Sequence, residues 1–280
     1  MSTAKTKIAL KGVRPKPLLK WAGGKRALLP EITKHMPKGY GTYYEPFFGG
    51  GALFFHLTPA VAVLADLNAE IINVYKTVRD SPEELIMALS SHLYDKDHYY
   101  EVRSIDPKTL SNVDAAARTI YLNRCGFNGL YRVNKKGGFN VPFGRYKNPK
   151  IVNIENIYAC SDALQDVLID NINIKDFPWD TVKKNDFVYL DPPYVPLNET
   201  SSFTSYTKDG FGPEDHQWLA DLYKELSARG VFVLHSNSDT EYTQELYKDF
   251  EVLEVLAPRN INSKAAKRAK VSEILVKNYS

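Results

Sequence analysis

The stretch Asp191-Pro192-Pro193-Tyr194 places an acid and an aromatic ring beside a stiff piece of backbone. It follows the apolar run Phe187–Leu190, which predicts a buried strand. Side chains at the carboxyl end of a strand in an open α/β sheet face the ligand crevice. Because two prolines remove two N–H donors, the groups near Asp191 are biased towards acceptors, which bind amines. The pattern predicts a site for an exocyclic amine on a flat ring; the alternative is a rigid strand exit with a surface tyrosine.

A second candidate site is the glycine turn in "EPFFGGGALFF", residues 45 to 55. The dinucleotide fingerprint G-x-G-x-x-G would need a small residue at Phe54, so the match is partial. One strand later, "LADLN" places Asp66 at a strand end, where an acid commonly accepts hydrogen bonds from ribose hydroxyls. Together they favour a nucleoside-type ligand without a pyrophosphate. The alternatives are a plain turn and a helix cap at Asp66.

The segment "KWAGGKR", residues 20 to 26, resembles a phosphate-binding loop only superficially. The Walker pattern needs a glycine where the chain has Leu19 and a serine or threonine where it has Arg26. We therefore reject a P-loop.

Basic residues are concentrated in two windows, 115–154 and 255–272, which contain no Asp or Glu. Outside them the chain is acidic, although its formal net charge is +3. This distribution favours a polyanion partner, and the alternative is two solvated faces. The basic residues are Arg118, Arg124, Arg132, Lys135, Lys136, Arg145, Lys147 and Lys150 in the first window, and Arg259, Lys264, Lys267, Arg268 and Lys270 in the second.

The composition predicts a globular cytoplasmic protein. The chain has 280 residues, of which 44% are hydrophobic, and no apolar run near the roughly 20 residues of a membrane helix; a signal peptide is not expected. Cys125 and Cys160 are the only cysteines, without metal-ligand spacing, so neither a disulfide framework nor a metal site is expected. None of the six histidines has a catalytic context, and His235 is expected to be structural.

Strand and helix patterns alternate at both ends of the chain and predict an α/β fold. Strand candidates include 42–48, 61–66, "NINIKD", "GVFVLHSNSD", "FEVLEVLAP" and "SEILVKNY". Between them, residues 81–121 have helical spacing, and "YRVNKKGGFNVPF" predicts a hairpin. We therefore expect one discontinuous domain, 1–76 and 153–280, with an insertion at 77–152 that carries much of the basic charge.

The motifs as a set resemble the Dam family of DNA adenine methyltransferases, most nearly its DpnM-type members from restriction–modification systems that protect GATC. The resemblance covers nearly the whole chain in the family's motif order. It is carried by "LKWAGGK", "YYEPFFGGGALFF", "ADLN", "YLNRCGFNGLYRVNKKGGFNVPFGRYKNP" and "YLDPPYVPLNETSSFTSYT".

This resemblance implies a Rossmann-like class I S-adenosylmethionine-dependent methyltransferase core with an inserted helical-plus-β-hairpin DNA-recognition domain. It implies methyl transfer to N6 of adenine in double-stranded DNA, with base flipping and without a metal. The implied catalytic residues are Asp191, Pro192 and Tyr194. The implied cofactor-binding residues are Trp21, Lys25, Glu45, Pro46, Phe47, Asp66 and Asp191.

The resemblance also implies how DNA is read. Arg132 matches a guanine-reading position, Leu130 and Pro142 would meet a thymine methyl group, and Phe127 with Asn128 would fill the vacated stack. Arg124, Arg145, Tyr146 and Lys147 are candidates for base or phosphate contact; for each single residue the alternative is plain phosphate contact. Cys125 and Phe127 stand where some relatives have tyrosine, so a bond through that hydroxyl is not expected.

Residues 198–212 are rich in small polar residues, and we expect a lid over the flipped base. A restriction endonuclease is expected as a functional partner without stable contact, and no feature predicts the oligomeric state. Alternatives that stay open are methylation of cytosine N4 or of adenine in RNA, and a DNA-binding protein without activity.

Overall fold

A computed structural model of the chain describes residues 12–21, 23–134, 137–197, 211–258 and 270–280. The chain forms two compact units, each assembled from several segments. We call Met1–Gly24, Gly49–Thr58 and Asn68–Ile169 the helical unit, and Lys25–Phe48, Pro59–Leu67 and Asp170–Ser280 the sheet unit. The functional division expected from the sequence, with a recognition domain at 77–152, stays a prediction. No helix in the described ranges is long and apolar enough to cross a membrane.

A seven-stranded sheet is the centre of the sheet unit, and its order is β3-β2-β1-β4-β5-β7-β6. Strands β2, β1, β4 and β5 run parallel to one another, whereas β7 is antiparallel to both β5 and β6. This order confirms the expected α/β fold with a class I methyltransferase core. The strands are β1 (Tyr43–Glu45), β2 (Ala62–Asp66), β3 (Leu168–Asn171), β4 (Phe187–Leu190), β5 (Phe232–Ser238), β6 (Glu251–Pro258) and β7 (Lys270–Lys277).

The central strand β4 is apolar throughout because both of its faces are covered, as parallel sheets require. Val188 and Leu190 are fully buried and pack in one core with Leu219 and Tyr223 of a long helix, α8 (Pro213–Ala228). That helix begins at Pro213, and Gly230, with φ of +75°, follows its end in the left-handed conformation. The core therefore fixes the strand that ends in Asp191.

Nine α-helices are described in the two units. The sheet unit contains α1 (Leu29–Lys34), α8 and α9 (Glu241–Leu246); the helical unit contains α2 (Ala52–Leu57), α3 (Ala69–Asp80), α4 (Pro82–Ser90), α5 (Lys96–Ser104), α6 (Asn112–Cys125) and α7 (Ile154–Ala163). Side chains of Asn68, Asp95 and Ser111 accept hydrogen bonds from the first turns of α3, α5 and α6. The helical spacing expected over residues 81–121 is thus confirmed as three helices, whereas α7 was not predicted.

The expected hairpin follows α6 in the helical unit. It consists of two isolated antiparallel bridges, Gly126 with Phe143 and Val133 with Phe139, rather than a continuous ladder. The amide of Asn140 donates to the carbonyl of Arg132 (2.9 Å), which holds the two arms together. Lys135 and Lys136, which lie between the two arms in the sequence, are outside the described residues.

The prediction that "NINIKD" forms a strand was wrong. Strand β3 lies earlier, at Leu168–Asn171, and Ile174–Asp176 forms a 3₁₀ turn. The side chain of Asn173 accepts a hydrogen bond from the amide of Lys175, and such a local bond competes with a strand ladder. Ile174 is buried in the sheet-unit core instead.

Candidate active site and nucleic-acid interface

Asp191 follows the last residue of β4, at the edge of the sheet where the parallel strands end. Its Oδ1 lies 2.7 Å from Nζ of Lys25, which belongs to a short 3₁₀ turn, Lys25–Ala27. Lys25 is buried, with 6% of its side chain exposed, and Asp191 retains 19%. Burial raises the pKa of Asp191, and the Lys25 ammonium opposes this rise. The Lys25 ammonium thus favours the charged form of Asp191, which can accept hydrogen bonds, in a site that is largely shielded from solvent.

Ser236 of β5 holds the same oxygen of Asp191. Its Oγ donates to Asp191 Oδ1 (3.0 Å) and lies 3.0 Å from the hydroxyl of the buried Tyr189. Because a serine hydroxyl has a single proton, Tyr189 is the donor in the second bond. Lys25 and Ser236 thus both contact Oδ1, which orients the carboxylate and directs Oδ2 away from them. Ser236 was not predicted from the sequence.

Tyr194 is fixed at its hydroxyl and on its ring face. Its hydroxyl donates to Oε2 of Glu273 on β7 (2.9 Å), and Lys25 Nζ lies 4.4 Å from the ring centre, within cation–π distance. The next residue, Val195, donates its amide to Oδ1 of Asn237 (3.0 Å) on β5. Glu273 and Asn237 were also not predicted from the sequence. The signal that could have found them is an acid or an amide within an otherwise apolar strand.

Four of the proposed cofactor residues of the sheet unit, Glu45, Pro46, Phe47 and Asp66, lie at the ends of β1 and β2. Glu45 is 3% exposed and accepts a hydrogen bond from the Tyr43 hydroxyl (2.8 Å). Pro46 is buried, and Phe47 meets Phe211 edge to face at 5.9 Å. Parallel strands place their carboxyl ends at one edge, so these residues share an edge with Asp191.

Asp66 ends β2, and its carbonyl accepts hydrogen bonds from the amide of Ile172 (3.3 Å) and from Nδ2 of Asn171 (2.9 Å). The alternative that Asp66 caps the next helix is wrong. The cap of α3 is Asn68, whose Oδ1 accepts from the amides of Glu70 (3.0 Å) and Ile71 (3.3 Å).

Trp21 lies in the helical unit, against the glycine turn. A Cβ atom at Gly49 would lie 2.9 Å from Trp21 Cδ1, and Gly49 also has a positive φ of +49°. The glycine at this position therefore does more than allow the chain to turn. It leaves space for the indole of Trp21, which a side chain would fill. The indole also contacts Tyr131 at 5.0 Å between ring centres, and Tyr131 donates to Glu70 (3.0 Å).

The DNA-contact candidates all lie in the helical unit, around the hairpin. Arg132 is exposed, and its Nε donates to Oδ1 of Asn140 (2.6 Å) on the opposite arm. Phe127 is 48% exposed, Asn128 next to it has a positive φ of +55°, and Phe127 donates its amide to the Pro142 carbonyl (2.8 Å). The hairpin thus presents an aromatic tip and a fixed guanidinium.

The remaining candidates are spread along the same segment. Tyr146 donates its hydroxyl to the Gly126 carbonyl (3.0 Å), Arg145 and Lys147 are exposed, and Leu130 and Arg124 are half-buried. Lys20 was not predicted, yet its Nζ lies 4.5 Å from the Tyr146 ring centre, so this cation joins the basic cluster. The second basic window is largely outside the described residues, as are residues 198–210 of the expected lid.

Other groups considered in the sequence have no catalytic geometry. His235 is fully buried in β5, and burial lowers its pKa to about 3, so the ring is neutral at physiological pH. Both cysteines are buried free thiols. The described part of the chain contains no cluster of three or more side chains able to hold a metal ion.

Comparison with known proteins identifies the family. The family model described as D12 class N6 adenine-specific DNA methyltransferase matches residues 21–261. The chain is 48% identical to the type II methyltransferase M1.LlaDCHI of Lactococcus lactis subsp. cremoris, over 94% of this chain and 95% of that protein.

Two further relatives are more distant. The type II methyltransferase M.MjaIII of Methanocaldococcus jannaschii is 42% identical over 94% of this chain and 99% of its own length. The DNA adenine methylase of Escherichia coli (strain K12) is 36% identical over 92% of this chain and 93% of its own length. Since the family model and these relatives span most of the sequence, the chain belongs to the D12 class of N6 adenine-specific DNA methyltransferases.

Proposed function

We propose that this chain binds S-adenosylmethionine and transfers its methyl group to N6 of adenine in duplex GATC, after the base has left the helix. The observation that carries the proposal is the orientation of Asp191. Its Oδ1 is held by Lys25 and Ser236, beside the fixed ring of Tyr194. Such a carboxylate and ring are complementary to an amine on a flat base.

The side chains at the sheet edge fit a cationic cofactor. Glu45, Asp66 and Asp191 are carboxylic acids at the ends of three parallel strands, and Glu45 is almost fully buried. Three carboxyl groups give this edge negative charge, which favours a ligand with positive charge. S-adenosylmethionine, when bound, supplies an activated methyl group on a positively charged sulfur. Trp21, Lys25, Pro46 and Phe47 complete the proposed cofactor set.

The target base would be held by the residues after β4. Extruding a base costs a few kcal/mol, because its stacking and pairing are lost. Stacking on Tyr194 returns about 1–3 kcal/mol of that cost. The Asp191 carboxylate and the Pro192 carbonyl each accept a hydrogen bond from the amine, which aims the nitrogen lone pair at the methyl group. The residues thus act chiefly by positioning.

The hairpin would read the duplex. An Arg132 guanidinium held in one plane by Asn140 suits the two acceptors of guanine, a contact that discriminates by about 1–3 kcal/mol. The exposed Phe127 ring is suited to the gap that an extruded base leaves. The other proposed contacts are Arg124, Asn128, Leu130, Pro142, Arg145, Tyr146 and Lys147.

The proposed target GATC rests on the resemblance of the recognition motifs to GATC enzymes. Two of the relatives are named type II methyltransferases. By analogy, we propose that the chain protects DNA from a companion endonuclease without forming a stable contact with it.

The test is methylation of defined duplexes by the purified protein with radiolabelled S-adenosylmethionine. Oligonucleotides would carry GATC, each single-base variant of it, or an unrelated site, and mass spectrometry would identify the methylated base. We expect N6-methyladenine in GATC alone. Methyl groups on cytosine, or preferred labelling of RNA, would replace the proposal by one of its alternatives.

A binding measurement separates catalysis from simple DNA binding. Isothermal titration with S-adenosylmethionine should show one site per chain, which Asp66→Ala weakens. DNA binding without any heat of cofactor binding would contradict the proposed enzyme.

A further inference from the structure

The hydroxyl of Tyr194 has a partner that the catalytic motif itself does not supply. Glu273 Oε2 accepts its hydrogen bond at 2.9 Å, and Glu273 comes from β7, near the end of the chain. In the antiparallel register of β5 and β7, Glu273 lies opposite Ser238, at the end of the strand that also contributes Ser236 and Asn237. The sheet thus joins an acid from β7 to the residues that follow β4.

Glu273 is an unusual residue for its place in the sequence. The three residues after it, Ile274, Leu275 and Val276, are fully buried, so the acid begins the most apolar part of β7. Burial raises its pKa, which means that the folded protein keeps a carboxylate there at a cost in stability. A half-buried acid with a raised pKa and a specific partner is a candidate for a role in function.

The Lys25 ammonium opposes the rise in the pKa of Glu273, but the two groups do not form an ion pair. None of the ion pairs in the described part of the chain includes Glu273, whereas the neighbouring Lys277 on the same strand pairs with Glu251 at 3.1 Å. Its side chain instead accepts the hydrogen bond of one tyrosine hydroxyl. The hydrogen-bond partner of Glu273 is therefore the Tyr194 hydroxyl.

The effect on Tyr194 follows from geometry. The tyrosine lies beyond the end of β4, where no ladder restrains it, so its ring would otherwise sample several rotamers. Glu273 holds the far end of the ring, and Asn237 holds the adjacent backbone through the amide of Val195. A ring fixed before binding loses less entropy when a base stacks on it.

We infer that Glu273 is a positioning residue of the methyl transfer, which fixes the hydroxyl of Tyr194 and thereby the ring on which the target base stacks. The inference rests on the proposed function, because it needs Tyr194 to contact the base. Glu273 itself touches neither the base nor the methyl group. It acts by keeping the ring of Tyr194 in the orientation that stacking needs.

The test compares Glu273→Leu, Glu273→Gln and Tyr194→Phe with the matched control Glu251→Gln, an acid on β6 that pairs with Lys277. A hydrogen bond to a charged group is worth enough to expect a loss of kcat of about tenfold or more in Glu273→Leu and Tyr194→Phe. Glu273→Gln keeps an acceptor and should recover most of the rate. The KM for DNA and the affinity for S-adenosylmethionine should stay within about twofold of the parent protein in all variants, since neither ground-state contact is removed.

A fluorescent readout reports the base directly. 2-Aminopurine at the target position brightens when it leaves the duplex and dims when it stacks on the tyrosine ring. We expect the 2-aminopurine fluorescence to be higher in complexes with Glu273→Leu and Tyr194→Phe than with the parent protein, at unchanged DNA affinity. A loss of stability alone would not produce this signal, and Tyr194→Phe, which changes one atom, gives the answer even if Glu273→Leu does not fold.

The double variant Tyr194→Phe/Glu273→Leu decides whether the two residues act as one unit. It should be no slower than the slower single variant, because the same hydrogen bond is already gone. The inference would be overturned if the fold-loss of kcat in the double variant equalled the product of the two single losses. A Glu273→Gln variant as slow as Glu273→Leu would also overturn it. Failure of the proposed function looks different: the parent protein itself would then transfer no methyl group to adenine, whatever happens at Glu273.

Discussion

Lys25 Nζ lies 2.7 Å from Oδ1 of Asp191, the carboxylate that is proposed to accept the target amine. Both side chains are largely withdrawn from water, so the pair is tighter than a surface ion pair. Lys25 also lies over the Tyr194 ring, at 4.4 Å from its centre. One cation therefore balances the charge of the acceptor and contacts the proposed stacking platform.

Removal of the cation should make the reaction more sensitive to acid. Burial places the pKa of Asp191 above its ordinary 3.8, and Lys25 opposes that rise. In Lys25→Met the pKa of Asp191 rises further, so the carboxylate is protonated, and lost as an acceptor, at a higher pH. We expect the acidic limb of the kcat profile to move to higher pH, so that the loss of kcat relative to the parent protein grows as the pH falls. The measurement is kcat from pH 5 to 9.

The matched control is Lys34→Met, which removes an exposed lysine that pairs with Glu31 on α1. Its profile should coincide with that of the parent protein. A Lys25→Met enzyme with an unshifted acidic limb would show that Lys25 does not set the charge of Asp191.

Asp191 itself should be indispensable for transfer and dispensable for binding the duplex. We expect Asp191→Ala to show no methyl transfer above background, because the amine loses the acceptor that orients it, while DNA affinity by fluorescence anisotropy changes less than about threefold. Asp191→Asn, which keeps the shape, should be nearly as inactive and should melt close to the parent temperature. Turnover near the parental rate in either variant would refute the assigned role.

The sequence predicted Asp191 and Tyr194 because both are in one short motif after a strongly apolar strand. It did not reveal Ser236, Asn237 or Glu273, which come from β5 and β7 and meet that motif only through strand pairing. Their signal was a polar residue in an otherwise buried strand. Without the sheet order, such a residue cannot be assigned to a partner.

The elements that were missed have weak local patterns. β3 exposes three of its four residues, so no apolar run marks it, and the side chain of Asn173 then accepts a hydrogen bond from the amide of Lys175 at the start of a 3₁₀ turn. α7 begins at Ile154 without a side-chain cap. By contrast, β4 and α8 were predictable, because the first is apolar throughout and the second has an amphipathic pattern that ends at a glycine.

Arg132 should contribute specificity more than affinity. Its guanidinium is held by Asn140 through Nε, so it reaches a base edge in a fixed plane. We expect Arg132→Ala to lower the preference for GATC over a single guanine substitution by about 1–3 kcal/mol in kcat/KM, with a smaller change in overall DNA affinity. Methylation kinetics on matched and substituted duplexes give both quantities.

Two companion variants separate base contact from phosphate contact. Asn140→Ala should lose part of the same discrimination, since the guanidinium is no longer oriented. Lys147→Ala should weaken all duplexes alike and reduce the salt dependence of binding by about one unit of slope. If Arg132→Ala behaves like Lys147→Ala, the arginine contacts phosphate instead.

Asp66 and Asn68 are two residues apart, yet we expect their substitution to change different properties, cofactor affinity for Asp66 and stability for Asn68. Asn68 caps α3 with its side chain, so Asn68→Ala should lower the free energy of unfolding by about 1 kcal/mol, with little effect on cofactor affinity. Asp66 ends β2 and is proposed to accept the cofactor's ribose hydroxyls, so Asp66→Ala should weaken S-adenosylmethionine binding about tenfold while unfolding changes little. Urea denaturation and isothermal titration on both variants measure the two effects. An Asp66→Ala variant that binds the cofactor normally but unfolds easily would mean that Asp66 supports the end of β2 and not the cofactor.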